Sequence, residues 1–178
     1  MGNAKTAKSV NIVTRIASVL KTPDVFNVIK YQDKKEDYIK AQMYPHLIRE
    51  IAKLYEEVNG HKPDTSLKKA KENLLWEGNV STTVNNVTLF GTWHRPDMVL
   101  EFTDNMRIAI EVKRGDAGKD IRDGVGQAIF YSQHFNFVIL LHVDTGKEKN
   151  ILNSINGDRE KEMMKSLWDN YNILIDVV

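Results

Sequence analysis

The sequence predicts an α/β fold in a single domain, and three observations predict it. Apolar residues recur three or four apart over the first third of the chain, which is the helical period. Short alternating runs of β-branched and aromatic residues fill the middle. Helical and strand patterns then interleave to the end, as in chains that pack helices on a sheet. A length of 178 residues corresponds to about one domain, and a chain of that size buries about 70% of its unfolded surface, enough for a core without staples.

Taking the elements in order, Val10, Val13, Ile16, Ala17 and Leu20 share one helical face, and Thr22-Pro23-Asp24 ends the pattern. Residues 1–30 read as an N-terminal helical appendage, packed on the core or offered to a partner, ahead of a single domain over 31–178. Within 36–58, Ile39, Met43, Leu47, Ile51, Leu54 and Val58 form one stripe of a long helix, which Pro45 is expected to kink or restart. Asn59-Gly60 is a stop. The segment 61–72 sets Lys62, Lys68, Lys69 and Lys71 against Asp64 and Glu72, and reads as a solvated loop or short helix, with a phosphate-contacting patch as the alternative. Strands are expected over 80–90, 96–102 and 106–113, then a helix over 117–131, a buried strand over 135–143, a helix over 158–168 and a last strand over 172–177.

Composition narrows the function classes. The chain has 25 Lys+Arg against 24 Asp+Glu, with 42% hydrophobic and 28% charged residues, an ordinary globular balance that argues against a polycation, a collagen or a disordered tail. The absence of cysteine excludes a disulfide framework, a thiolate zinc site and a cysteine nucleophile, and fits a reducing, cytoplasmic compartment. The longest strongly apolar run, 137–143, has strand length and falls short of the ~20 residues a spanning helix needs, so no membrane is expected as a partner. The N-terminus lacks the apolar stretch of a signal peptide. Met1, Gly2 and Thr6 formally fit an N-myristoylation pattern, one short enough to recur by chance. No solenoid repeat is visible.

The chemistry concentrates in one expected hairpin. With Thr103-Asp104-Asn105 as the turn, Met98, Leu100 and Phe102 share an apolar face with Ile110, Ile108 and Met106, and Val112 continues it. On the opposite face Glu101 lies across from Arg107, Val99 from Ala109 and Asp97 from Glu111, with Lys113 one step further. Opposed carboxylates with Cβ atoms ~5 Å apart repel unless something positive lies between them. Hard oxygen ligands suit Mg²⁺ or Mn²⁺, which could activate a water and neutralise a phosphate while Lys113 orients the nucleophile or stabilises the oxyanion. The alternative is a solvated charge ladder in which Lys113 simply neutralises its neighbours.

Pro96-Asp97 followed by Ile110-Glu111-Val112-Lys113 resembles the signature of the PD-(D/E)XK nuclease superfamily, the fold of many restriction enzymes, Holliday-junction resolvases and RecB-type nucleases. A second match, Pro23-Asp24 with Asp33-Lys34-Lys35, has no strand character around it. The resemblance spans roughly residues 36–145. It implies a restriction-endonuclease-like α-β-β-β-α-β core, a mixed central sheet flanked by helices, here with an extra N-terminal helix and a C-terminal helix-strand. It also implies a further metal ligand from the first helix, for which Glu36 is favoured and Glu50 is the runner-up, each being otherwise a helix-surface acid. Gln127 and Tyr131, four apart on one helical face, resemble the QxxxY motif of RecB-type members, which helps hold substrate. The plainer alternative packs Tyr131 in the core and lets Gln127 cap a neighbour.

Other candidates are weaker. His46, His61, His94, His134 and His142 lack paired zinc-ligand spacing. His94 and Arg95 could touch a phosphate or have no role, and Arg114 and Lys119 could meet a nucleic-acid backbone or be solvated charges. Residues 114–119 lack the Walker spacing. The expectation is a Mg²⁺-dependent deoxyribonuclease, with Mn²⁺ substituting and endonuclease action favoured. Asp97, Glu111 and Lys113 are the catalytic set; Glu36, Asp97, Glu111 and the Val112 carbonyl hold metal; Gln127 and Tyr131 bind substrate. DNA is the partner, with a homodimer plausible. The rivals are an inactive nucleic-acid-binding or assembly protein with the same fold, and an RNA-directed nuclease.

Overall fold

The computed structural model describes residues 5–26, 31–78, 83–103 and 105–178. The myristoylation glycine Gly2, the start of the strand expected over 80–90 and the central turn residue Asp104 lie outside them.

Helix α1 (Ala7–Leu20) is capped by Thr6, whose hydroxyl accepts from the Ser9 amide while Ser9 answers the Thr6 amide. Its apolar face is buried in the main core together with α3, so it packs on the body of the protein. After the short α2 (Pro23–Phe26), α3 (Glu36–Asn59) runs without interruption through Pro45, contrary to the expected restart. Pro45 lies on the exposed side of the helix, where water can serve the carbonyl whose partner N–H proline lacks. Gly60 ends it with φ 67, the left-handed stop that glycine takes without steric cost. The lysine-rich stretch is α4 (Pro63–Asn73), with proline in its first turn.

Strands β1 (Leu74–Trp76), β4 (Met98–Thr103), β5 (Met106–Gly115), β6 (Phe137–Asp144) and β7 (Ile173–Val177) form one mixed sheet in the order β1-β4-β5-β6-β7. Four pairs confirm the expected hairpin register, Met98 with Ile110, Val99 with Ala109, Leu100 with Ile108 and Glu101 with Arg107. A bulge between Glu101 and Thr103 then shifts it by one. Helix α5 (Gly118–Tyr131) is the crossover that makes β5 and β6 parallel; α6 (Asn150–Ser154) and α7 (Asp158–Tyr171) carry the chain to β7, parallel to β6.

The strand expected over 80–90 is corrected. The edge strand of the main sheet is β1, directly after α4. Residues of the expected strand instead form β2 (Val87–Leu89), paired only with β3 (Thr92–His94) in a separate two-stranded hairpin. Leu74-Leu75-Trp76 has too few residues to show a period of two.

The sheet separates two cores. One face, with Met98, Leu100, Ile108, Ile110 and Val112, packs on α1 and α3. The other, with Val99, Ala109, Val138 and Leu140, packs on Ala128 and Tyr131 of α5. Both faces are covered, which explains why β6 reads as an unbroken apolar run. Among the described residues no helix is long and apolar enough to cross a membrane.

Candidate active site

The β4 ladder stops at Met98, because Pro96 has no N–H to extend it. Asp97, just before the strand, takes over with its side chain: Oδ2 accepts the Val112 amide at 2.8 Å. This ties the carboxylate to β5 beside Glu111. Asp97 is 8% exposed and Glu111 2%. A solvated charge ladder is thereby excluded for these two, while Glu101 and Arg107, further along the same face, do form an ion pair near the surface.

Four carboxylates meet two ammonium groups here. Lys113 Nζ lies 2.7 Å from Glu111 Oε1. Lys40 Nζ lies 2.8 Å from Asp97 Oδ1, 3.0 Å from Asp37 and 3.5 Å from Glu36 Oε1. Glu36, in the first turn of α3, thus joins the cluster through Lys40. Glu50 does not, since it pairs with Arg15 of α1 on another part of the helix. Lys40 was missed by the sequence reading. Its signal was the Glu36/Lys40 spacing of four beside the apolar stripe, indistinguishable in sequence from an ordinary surface pair.

Electrostatics follow from burial. Desolvation, then the charge of Asp97, push the Glu111 carboxyl up to about 7 against the opposing pull of Lys113. Desolvation and Asp97 likewise raise Glu36. Burial works against the Lys113 ammonium, yet Glu111, Glu36 and Asp97 together raise it above its ordinary value. Lys113 is therefore a charged donor at neutral pH, not a free base.

Gln127 and Tyr131 occupy different surroundings. Tyr131 is 1% exposed, with its ring edge-on to Phe135 and its hydroxyl raised by burial and by the charges of Glu111 and Asp97. Gln127, one turn earlier, lines a cleft with Leu89, His94, Arg122 and Phe130, and its carbonyl oxygen is buried without a hydrogen-bond partner among the described residues. His94 packs its ring edge on Phe130, 5.1 Å between centroids, and Arg95 pairs with Glu77. His142 is the register neighbour of Lys113 on β6 and is kept neutral by burial, with Nε2 on the Gly115 carbonyl. Asp144, also buried, receives the amides of Gly146, Ile151 and Leu152 and so belongs to the loop leading into α6.

The fit to a divalent ion is divided. In favour, Glu111 Oε2 is buried with no hydrogen-bond partner among the described residues, and oxygen donors of Asp97, Glu111 and the Val112 carbonyl suit a hard cation. Against it, among the described residues no group of three or more His, Cys, Asp or Glu is arranged to hold a metal. In addition, the Lys40 ammonium lies against Asp97 Oδ1, the Val112 amide on Asp97 Oδ2 and the Lys113 ammonium against Glu111 Oε1.

Fold and site together define a mixed α/β protein with a buried carboxylate-ammonium cluster at the mouth of a β-hairpin. Comparison with protein-family models, with curated proteins and with solved structures gave no match.

Proposed function

We propose that the chain is a metal-dependent nuclease that hydrolyses phosphodiester bonds in DNA. The observation that carries this reading is the burial of Asp97 and Glu111 side by side with Lys113 on the second of them. Burying acids is costly unless they are paired, and carboxyls perturbed by burial beside a specific charge partner are functional-site candidates. The order of elements supports it too. With α4 and the separate β2-β3 hairpin as insertions, helix α3, strands β1, β4 and β5, helix α5 and strand β6 run in the α-β-β-β-α-β succession that the resemblance to PD-(D/E)XK nucleases implies. The five-stranded sheet keeps the hairpin next to the parallel strand β6.

Asp97, Glu111 and the Val112 carbonyl would hold Mg²⁺ or Mn²⁺, with Glu36 at the edge of the site. When bound, such an ion neutralises phosphate charge and makes water more acidic. The chain's own residues do the rest. Lys113, charged and held by Glu111, donates to the attacking water or to the phosphate oxygen on which charge develops. Val112 N–H fixes Asp97 in orientation. Tyr131 closes the back of the site, and Gln127 offers its amide to substrate in the adjoining cleft. The test is incubation of linear duplex, single-stranded and closed circular DNA with Mg²⁺, Mn²⁺ or chelator, beside Lys113→Ala. Cleavage of circles would identify an endonuclease.

A further inference from the structure

The β2-β3 hairpin makes no strand pairing with the main sheet, and its tip is built in a way that folding alone does not call for. Leu89 pairs with Thr92, so Phe90-Gly91 is a two-residue loop. Both loop residues have positive φ, 47 for Phe90 and 75 for Gly91, the primed-turn geometry that suits a tight hairpin. Asn, Asp or Gly normally fill the first of these positions, because a bulky side chain is strained there. Here it carries a phenylalanine that is 97% exposed, and Trp93 behind it is 73% exposed.

This aromatic tip is close in the chain to the candidate active site. Three residues separate Trp93 from Asp97 in the chain. The hairpin base is anchored on α5 through His94 and Phe130. Hairpin and helix together flank an open cleft of about 460 Å³, lined by Leu89, His94, Arg122, Asp123, Gly126, Gln127 and Phe130. Arg122 on this wall is a cation matched to a phosphate, with the Asp123 carboxylate beside it.

We infer that the β2-β3 hairpin is a base-stacking arm that binds unpaired DNA, with Phe90 and Trp93 stacking on bases beside the cleft between the hairpin and α5. The inference deepens the nuclease reading and rests on its nucleic-acid substrate. Bases within a duplex already stack on one another, so exposed rings gain only where bases are unpaired: single strands, forks, flaps or junctions. The contact is sequence-tolerant, since every base has a π-face.

The test measures binding of full-length protein to fluorescent single-stranded, forked and blunt duplex oligonucleotides of matched sequence, in chelator so that nothing is cut. Phe90→Gly combined with Trp93→Ala is expected to weaken binding to the single strand and the fork about tenfold or more, since each lost stack is a sizeable part of such an affinity, and to leave duplex binding unchanged. Trp93→Phe should restore most of the loss. An equal loss on all three DNAs, no loss, or wild-type protein that binds none of them would overturn the inference. So would a double variant that turns a dimer into a monomer in size-exclusion chromatography, which would make the tip an interface between copies. Cleavage by the wild type and by Lys113→Ala is read separately in Mg²⁺, so failure of the nuclease reading and failure of the stacking arm give different results.

Discussion

Lys40 Nζ lies 2.8 Å from Asp97 Oδ1, which links the long helix α3 to the residue that opens β4. Both side chains are buried. The bond therefore has two consequences: the ammonium neutralises an acid that would otherwise be stranded away from water, and it occupies the oxygen a divalent ion would need. Lys40→Met should destabilise the metal-free protein by about 3 kcal/mol, the usual result of removing one partner of a buried pair. Urea unfolding in chelator checks this. Mn²⁺ should then stabilise the variant more than the wild type, because the ion no longer competes with the ammonium.

Glu36 and Glu50 are separable by experiment. Glu36 reaches the cluster through Lys40, and Glu50 is held by Arg15. Glu36→Gln is expected to lower apparent Mg²⁺ affinity several-fold, read as the Mg²⁺ dependence of cleavage. Glu50→Gln should leave that dependence unchanged and cost at most about 1 kcal/mol of stability, as for a partly exposed ion pair.

The raised Glu111 carboxyl predicts a pH dependence of stability. An unfolded glutamate releases its proton near its ordinary value of 4.5, while folded Glu111 keeps it up to about 7. The native state therefore binds more protons between these values. Its contribution to stability is fully present below 4.5 and is lost as pH rises through about 7. Metal-free wild type should lose on the order of 2 kcal/mol across this window relative to Glu111→Gln, measured as the difference between their urea midpoints. Mg²⁺ binding should strengthen with pH over the same range, since the ion takes the ionised form.

Phe90→Gly separates folding from binding at the hairpin tip. Glycine adopts positive φ without the clash that phenylalanine meets, although it gives up more chain entropy on folding. Thermal unfolding should show the single variant as stable as the wild type or more stable by up to about 1 kcal/mol. A marked loss of stability would mean that the ring supports the fold.

The sequence made the periodic parts of this protein legible. The stripe of α3, the register of Met98 with Ile110 and the buried run of β6 follow from spacings of 3.6 and 2 that a linear reading detects. The same alternation places Glu111 and Lys113 on one side of β5, and Asp97, just before β4, joins them through its side chain. What stayed hidden lacks such a period. Strand β1 has three residues, too few to alternate. Pro45 signals a break by its chemistry, but its exposed position lets the helix continue. The place of Lys40 in the site depends on how α3 lies against β4, a tertiary relation that a spacing of four along one helix does not contain. Tyr131 and Gln127 share a helical face, yet one is enclosed and the other lines a cleft, because the β2-β3 hairpin covers that face unevenly.

The most direct test of the central claim is cleavage of DNA by purified protein in Mg²⁺, in Mn²⁺ and in chelator, for wild type, Asp97→Asn and Lys113→Ala, each variant first shown to be folded by circular dichroism. Metal-dependent cleavage by the wild type is expected, with a loss of about 100-fold or more in each variant, as for members of one catalytic unit. Cleavage that persists undiminished in folded Asp97→Asn or Lys113→Ala, or that proceeds equally well in chelator, would contradict that claim.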